Sequence, residues 1–241
     1  MSTKVKNPNQ KSSGFIWAVL IIVVLAAVLI GYLVVNGNKS KEDIATDRVN
    51  EAVAFETTYE DNGIILKAAN AKADAKSVEL YEDFSCPHCA DLAVQTDADM
   101  KTAIEKGDIT VTIRSLNFLD REAIGNSTMA GTAAYAVAKN ESPEVYWNFR
   151  KLLMEDQEKI YTSNWEDADF ANAAKSVGAS EETVKTITNG TLTEEYIELA
   201  TKNSDKLEKE TGSVSSPRVI IDGTEIKGAD IFDWVNQATK A

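Results

Sequence analysis

Two cysteines in a chain of 241 residues, both inside the run Cys86-Pro87-His88-Cys89, constrain this protein more than any other feature of its sequence. A bridge between residues three apart closes too short a loop to add much stability, so the pair is not a staple. A structural zinc site needs four ligands, and two thiols with the chain's single histidine, His88, supply three. A cysteine protease needs a histidine distant in sequence as its base, and there is none. The reading that remains is thiol–disulfide chemistry, with no metal and no cofactor expected.

The flanks of the motif agree with that reading. Residues 78–85 are β-prone, apolar at intervals and of strand length, whereas residues 90–106 place Leu92, Ala93, Thr96, Met100 and Ile104 along one helical face. The cysteines therefore fall where a strand gives way to a helix. There the helix's free N–H groups and the positive end of its dipole favour a thiolate at Cys86. Pro87 opens a helix without needing an N–H partner. His88 either turns a hydrogen bond or positive charge toward Cys86 or stands as a surface residue.

The N-terminus carries the second signal. Residues 15–35 hold no charge and would measure about 31 Å as a helix, enough to cross a bilayer. Trp17 and Tyr32 lie near the two ends, where amphipathic rings favour the interface. Lys4, Lys6 and Lys11 precede the run with no acidic residue, so the positive-inside rule puts residues 1–14 in the cytoplasm and the rest outside. The run exceeds a signal-peptide core and no small-x-small site follows it, which predicts an uncleaved signal anchor. Setting those three lysines aside from totals of 25 basic and 38 acidic residues leaves the outer part at −16. Such a charge argues against nucleic acid and against adhesion to anionic lipid.

Beyond the anchor, residues 36–62 read as a polar tether and an N-terminal extension, in which Ile44, Val49 and Val53 suggest a helix whereas residues 55–59 alternate like a strand. Residues 63–67 and 78–85 read as strands, and Ile109-Thr110-Val111-Thr112-Ile113-Arg114 alternates as another. Residues 120–211 are helical in character throughout, the last helix polar and solvent-facing. Arg218-Val219-Ile220-Ile221 and Thr224-Glu225-Ile226-Lys227 flank an Asp222-Gly223 turn, predicting a hairpin. Asp230 is placed to cap a final helix bearing Ile231, Trp234, Val235 and Ala238. Three Asn-x-Ser/Thr triplets, at Asn126, Asn140 and Asn189, are unremarkable in a chain this rich in those residues.

This α/β order resembles the thioredoxin fold with a helical insertion, here preceded by one N-terminal transmembrane helix. It is similar in particular to the DsbA-like family of extracytoplasmic thiol-disulfide oxidoreductases, and its anchor to the MdbA type of Gram-positive bacteria. The likeness rests on Tyr81-Glu82-Asp83-Phe84-Ser85-Cys86-Pro87-His88-Cys89 and on Ser216-Pro217-Arg218-Val219-Ile220-Ile221-Asp222-Gly223, within residues 63–241. The resemblance implies that Cys86 is the exposed cysteine that exchanges disulfides and Cys89 the buried one that resolves. It implies a cis Pro217 facing the pair, although a trans proline opening a strand reads equally from sequence. Ser216, just before it, departs from the Val or Thr common in the family and loosens the choice between oxidase and isomerase. Relatives keep an acidic residue under the site for proton transfer, and Glu82 is either that residue or a solvated strand end. The expected activity is donation of the Cys86–Cys89 disulfide to secreted or cell-envelope proteins with free cysteines. The pair would be reset by a membrane reoxidant (DsbB- or VKOR-like). A reductase, an isomerase, or a binding module that no longer cycles are the alternatives.

Overall fold

The computed structural model describes residues 13–46, 48–121 and 123–240, with side chains in the first helix described over 16–32. The chain divides into two units, 1–42 and 43–241. The first contains most of α1 (Ser13–Thr46), which runs through the apolar segment 15–35. All of its described side chains are exposed. Among the described residues no helix is long and apolar enough to cross a membrane. The expected crossing therefore falls partly outside the residues whose side chains are described, as do residues 1–12 of the expected cytoplasmic terminus.

In the second unit a six-stranded sheet has the order β1-β2-β4-β3-β5-β6. The strands are β1 (Glu56–Glu60), β2 (Gly63–Lys67), β3 (Lys76–Glu82), β4 (Ile109–Ser115), β5 (Arg218–Ile221) and β6 (Thr224–Ile226). Only β3 and β4 run parallel, with Val78 opposite Val111 and Leu80 opposite Ile113. A parallel pair needs a crossover, which α2 (Pro87–Glu105) supplies. The Asp222-Gly223 turn joins β5 to β6 with both residues at positive φ, 47° and 78°, the backbone that a tight two-residue hairpin demands.

Alternation along the strands gives each face its own partner. Val78, Leu80, Val111, Ile113, Val219 and Ile221 share the main core with residues of α2 and with Trp234, Val235 and Ala238. Tyr81 and Ile220 point the other way and meet Leu207. Leu207 belongs to α8 (Thr193–Thr211), the last of the block formed with α3 (Asn126–Asn140), α4 (Pro143–Glu155), α5 (Gln157–Thr162), α6 (Asp167–Ser176) and α7 (Glu181–Thr188). Ser142 and Ser180 cap α4 and α7 by accepting the Val145 and Thr183 N–H groups. The expected wholly polar α8 is instead amphipathic, burying Tyr196, Leu199, Ala200, Asn203 and Leu207. Tyr196 reaches in because Gly131 of α3 offers it space: a Cβ there would lie 2.0 Å from the tyrosine ring.

Two local readings change. Asp230 does not cap the last helix, because a 3-10 turn (Gly228–Asp233) comes first and leads into α9 (Trp234–Thr239). The ambiguous extension resolves into the edge strand β1 where residues 55–59 alternate, and before it residues 50–55 form a strap against the helical block instead of a helix. Glu51 and the Asn148 side chain exchange two hydrogen bonds (2.8 and 2.9 Å), Asn50 donates to the Val177 carbonyl, and Phe55 packs edge-on against Trp147.

Candidate active site

Cys86 is the N-cap of α2 and Pro87 its first residue, so the proline gives up an N–H that would have no partner in the helix. Both cysteines are free thiols and both are buried, at 6% and 3% exposure. That corrects the expectation of an exposed Cys86. The environments still differ. The Cys89 thiol donates toward Cys86, and the N–H groups of Cys89 and His88 add to it, holding Cys86 down at about 5 against the opposing effect of burial. Burial pushes Cys89 well above its ordinary value. The pair is thus split into a ready thiolate and a retained thiol.

The segment before β5 completes the site. The Ser216–Pro217 peptide bond is cis. Cys86 Sγ lies 3.5 Å from the Ser216 carbonyl oxygen, a hydrogen bond only while the thiol keeps its proton. Sequence positions 130 apart therefore meet at the reactive sulfur. His88 acts here through its backbone, since its imidazole is 82% exposed and its Nδ1 lies 3.9 Å from Asp91. Beside the sulfur opens a groove of about 430 Å³ lined by His88, Pro217, Arg218, Ile226, Ile231 and Phe232.

Behind the cysteines lie two buried carboxyls. Glu82, 2% exposed, gives both oxygens to Arg150 of α4 (2.9 and 2.6 Å), and Arg150 also binds Asp97 of α2 at 2.7 Å. Glu82 is therefore neither a solvated strand end nor a carboxyl free to serve the thiol. Its oxygens brace the strand to the helical block. Its neighbour Asp83 is fully buried. Its N–H donates to Cys89 Sγ at 3.5 Å and its carbonyl accepts the Cys86 N–H at 2.9 Å. Its side chain accepts from the Ser85 N–H and the Ser127 hydroxyl, yet burial still raises it to about 6. Among the described residues no group of acidic, histidine and cysteine side chains could hold a metal ion.

A thioredoxin family model matches residues 69–240, spanning the redox helix, the helical block and the final hairpin and helix. The chain belongs to the thioredoxin family. Among solved thioredoxin-fold structures it is similar to the MdbA protein, a thiol-disulfide oxidoreductase from Corynebacterium diphtheriae, at 55% identity and TM-score 0.78. That match covers 80% of this chain and 98% of the other. The corresponding protein from Corynebacterium matruchotii matches at 46% identity and TM-score 0.76, over 85% of this chain and 98% of that one. DsbA from Mycobacterium tuberculosis, at 19% identity and TM-score 0.56 over 74% and 98%, shares the fold. No curated protein sequence matches. The chain is thus a thiol-disulfide oxidoreductase of the DsbA-like, MdbA type within the thioredoxin family.

Proposed function

We propose that this protein is an extracytoplasmic oxidase, held to the membrane by residues 15–35, that donates the Cys86–Cys89 disulfide to secreted or cell-envelope proteins as they fold. The observation that carries the direction is the thiolate at Cys86, held down at about 5 by donors converging on its sulfur. A stabilised thiolate is a good leaving group, and stabilising the reduced pair makes its disulfide a stronger oxidant.

In the forward reaction a substrate thiolate attacks Cys86 Sγ. The Cys86–Cys89 bond breaks, Cys89 leaves and takes a proton in its buried site, and a mixed disulfide forms. A second substrate thiolate then attacks the substrate's own sulfur, closing the substrate disulfide and expelling Cys86 as thiolate. Two electrons have passed to the protein, and a membrane reoxidant of the DsbB or VKOR kind removes them. Ser216 and Pro217 lie against the attacked sulfur, and the groove beside them receives the substrate chain. His88 contributes its N–H to the thiolate, while Glu82 holds the strand that delivers the motif. The exposed apolar side chains of α1 and the lysines before it support the anchor.

The test is the equilibrium of the pair with glutathione. A potential more oxidising than roughly −180 mV supports a disulfide donor, and a value near the roughly −270 mV of thioredoxin sinks it in favour of a reductase. Cys89→Ala should accumulate mixed disulfides with substrates, and Cys86→Ala should form none.

A further inference from the structure

Asp83 spends every polar group it has on fixing the active-site turn. Its N–H faces Cys89 Sγ, its carbonyl holds the Cys86 N–H, and its carboxyl takes donors from three separate segments. These are the Ser85 N–H at 2.9 Å in the turn, the Ser127 hydroxyl at 2.6 Å in the first turn of α3, and the Leu119 N–H at 3.4 Å. Ser127 and Asp83 are both fully buried. The side chain therefore clamps the peptide whose N–H meets the buried sulfur.

A free thiol or thiolate is a better hydrogen-bond acceptor than a sulfur in a disulfide, because more electron density remains on it. A donor held on Cys89 thus favours the reduced pair. We propose that Asp83 is a positioning residue that makes the pair more oxidising, and that Ser127 of the helical block sets its grip although it is not hydrogen-bonded to either cysteine. The helical block is thereby part of what sets the redox balance. This rests on the chain's exchange of disulfides, but concerns a difference between variants rather than the absolute potential.

The experiment equilibrates the full chain and three variants, Ser127→Ala, Ser127→Thr and Ser127→Val, with glutathione buffers and counts free thiols by alkylation. Ser127→Ala should shift the equilibrium constant toward the oxidised form by about threefold or more, about 14 mV at the ~30 mV per tenfold of a two-electron couple. Ser127→Thr and Ser127→Val have one shape and differ in the hydroxyl, so their comparison removes any cost of the added methyl. Val should shift as Ala does, and Thr should return toward the parent. A purely structural hydroxyl would destabilise oxidised and reduced protein alike and leave every constant unmoved. That outcome, or equal constants for Thr and Val, overturns the proposal. A parent potential near that of thioredoxin, with the Thr and Val variants still different, would instead count against the oxidase reading alone.

Discussion

Replacing Arg150 by methionine tests the buried brace most directly. Arg150 is 1% exposed and makes three hydrogen bonds, two to Glu82 and one to Asp97, whose own side chains are 2% and 11% exposed. Methionine fills much of the volume but leaves two carboxyls in the core without a counter-charge. Removing one partner of a buried ion pair costs about 3–5 kcal/mol. Against a total of about 5–15 kcal/mol that is a large fraction. With a urea slope of about 2–3 kcal/mol/M the midpoint should fall by about 1–2.5 M at pH 7.5. The sign of the pH dependence follows from the same burial. Asp97 is raised to about 6 even beside Arg150, since desolvation outweighs the guanidinium. Without Arg150 the Asp97 carboxyl is pushed further up, so the folded state binds its proton more tightly than the unfolded one. The variant should then regain stability on acidification, fully only below the unfolded carboxylate range, and lose it as pH rises through 6 and beyond. Adding Glu82→Gln and Asp97→Asn should restore most of the loss at pH 7.5. Urea titrations at pH 5 and 7.5 decide it. A loss below about 1 kcal/mol, or one equal at both pH values, would refute the reasoning.

Four further outcomes follow from particular contacts. Absorbance of the thiolate in reduced protein should titrate with a midpoint near 5 at Cys86, and Cys89 should resist alkylation throughout; a midpoint near 9 would contradict the donor set described. Because that value is depressed, the reduced protein should gain stability as pH rises from about 5 to about 9, and the oxidised protein should not. Gly131→Ala places a Cβ 2.0 Å from Tyr196 and should cost about 1–3 kcal/mol by thermal or urea unfolding; an unchanged midpoint would mean that the ring moves freely. Asn148→Ala removes the two bonds to the Glu51 backbone and should raise proteolytic cleavage within 48–55 several-fold without altering glutathione exchange.

Much of the fold was legible because it is written in local pattern. The alternation of Ile109, Val111 and Ile113 gave β4, and the motif's place between apolar strand and amphipathic helix gave the β3–α2 junction. What escaped is held together across the chain. Asp97 and Arg150 interrupt otherwise apolar helix faces, beside Thr96 and Met100 in one case and Phe149 and Leu153 in the other. A charge inside an apolar stripe is the available signal of a buried pair, but nothing local says which charges meet over 53 residues. Asp83 was hidden differently. Simple alternation assigns Glu82 to the buried layer and Asp83 to solvent, yet the chain leaves the strand at Glu82 and turns, so both end up inside. Ser127 drew notice only as part of an Asn-Ser-Thr triplet, whose meaning here is the cap-like grip on a carboxyl.

Arg150 also decides how this protein can be cut. Helices α3 to α7 sit between β4 and α8 like a cassette, and splicing them out is the obvious route to a shorter oxidoreductase. Excision would take away the counter-ion of Glu82 and Asp97, leaving stranded charges at the end of the strand that carries the motif and within the helix that follows it. It would also remove the hydroxyl that Asp83 holds. A minimal version of this enzyme would need apolar residues at 82 and 97 and a new donor for Asp83, which makes the insertion an organ of the redox centre rather than an ornament on its scaffold.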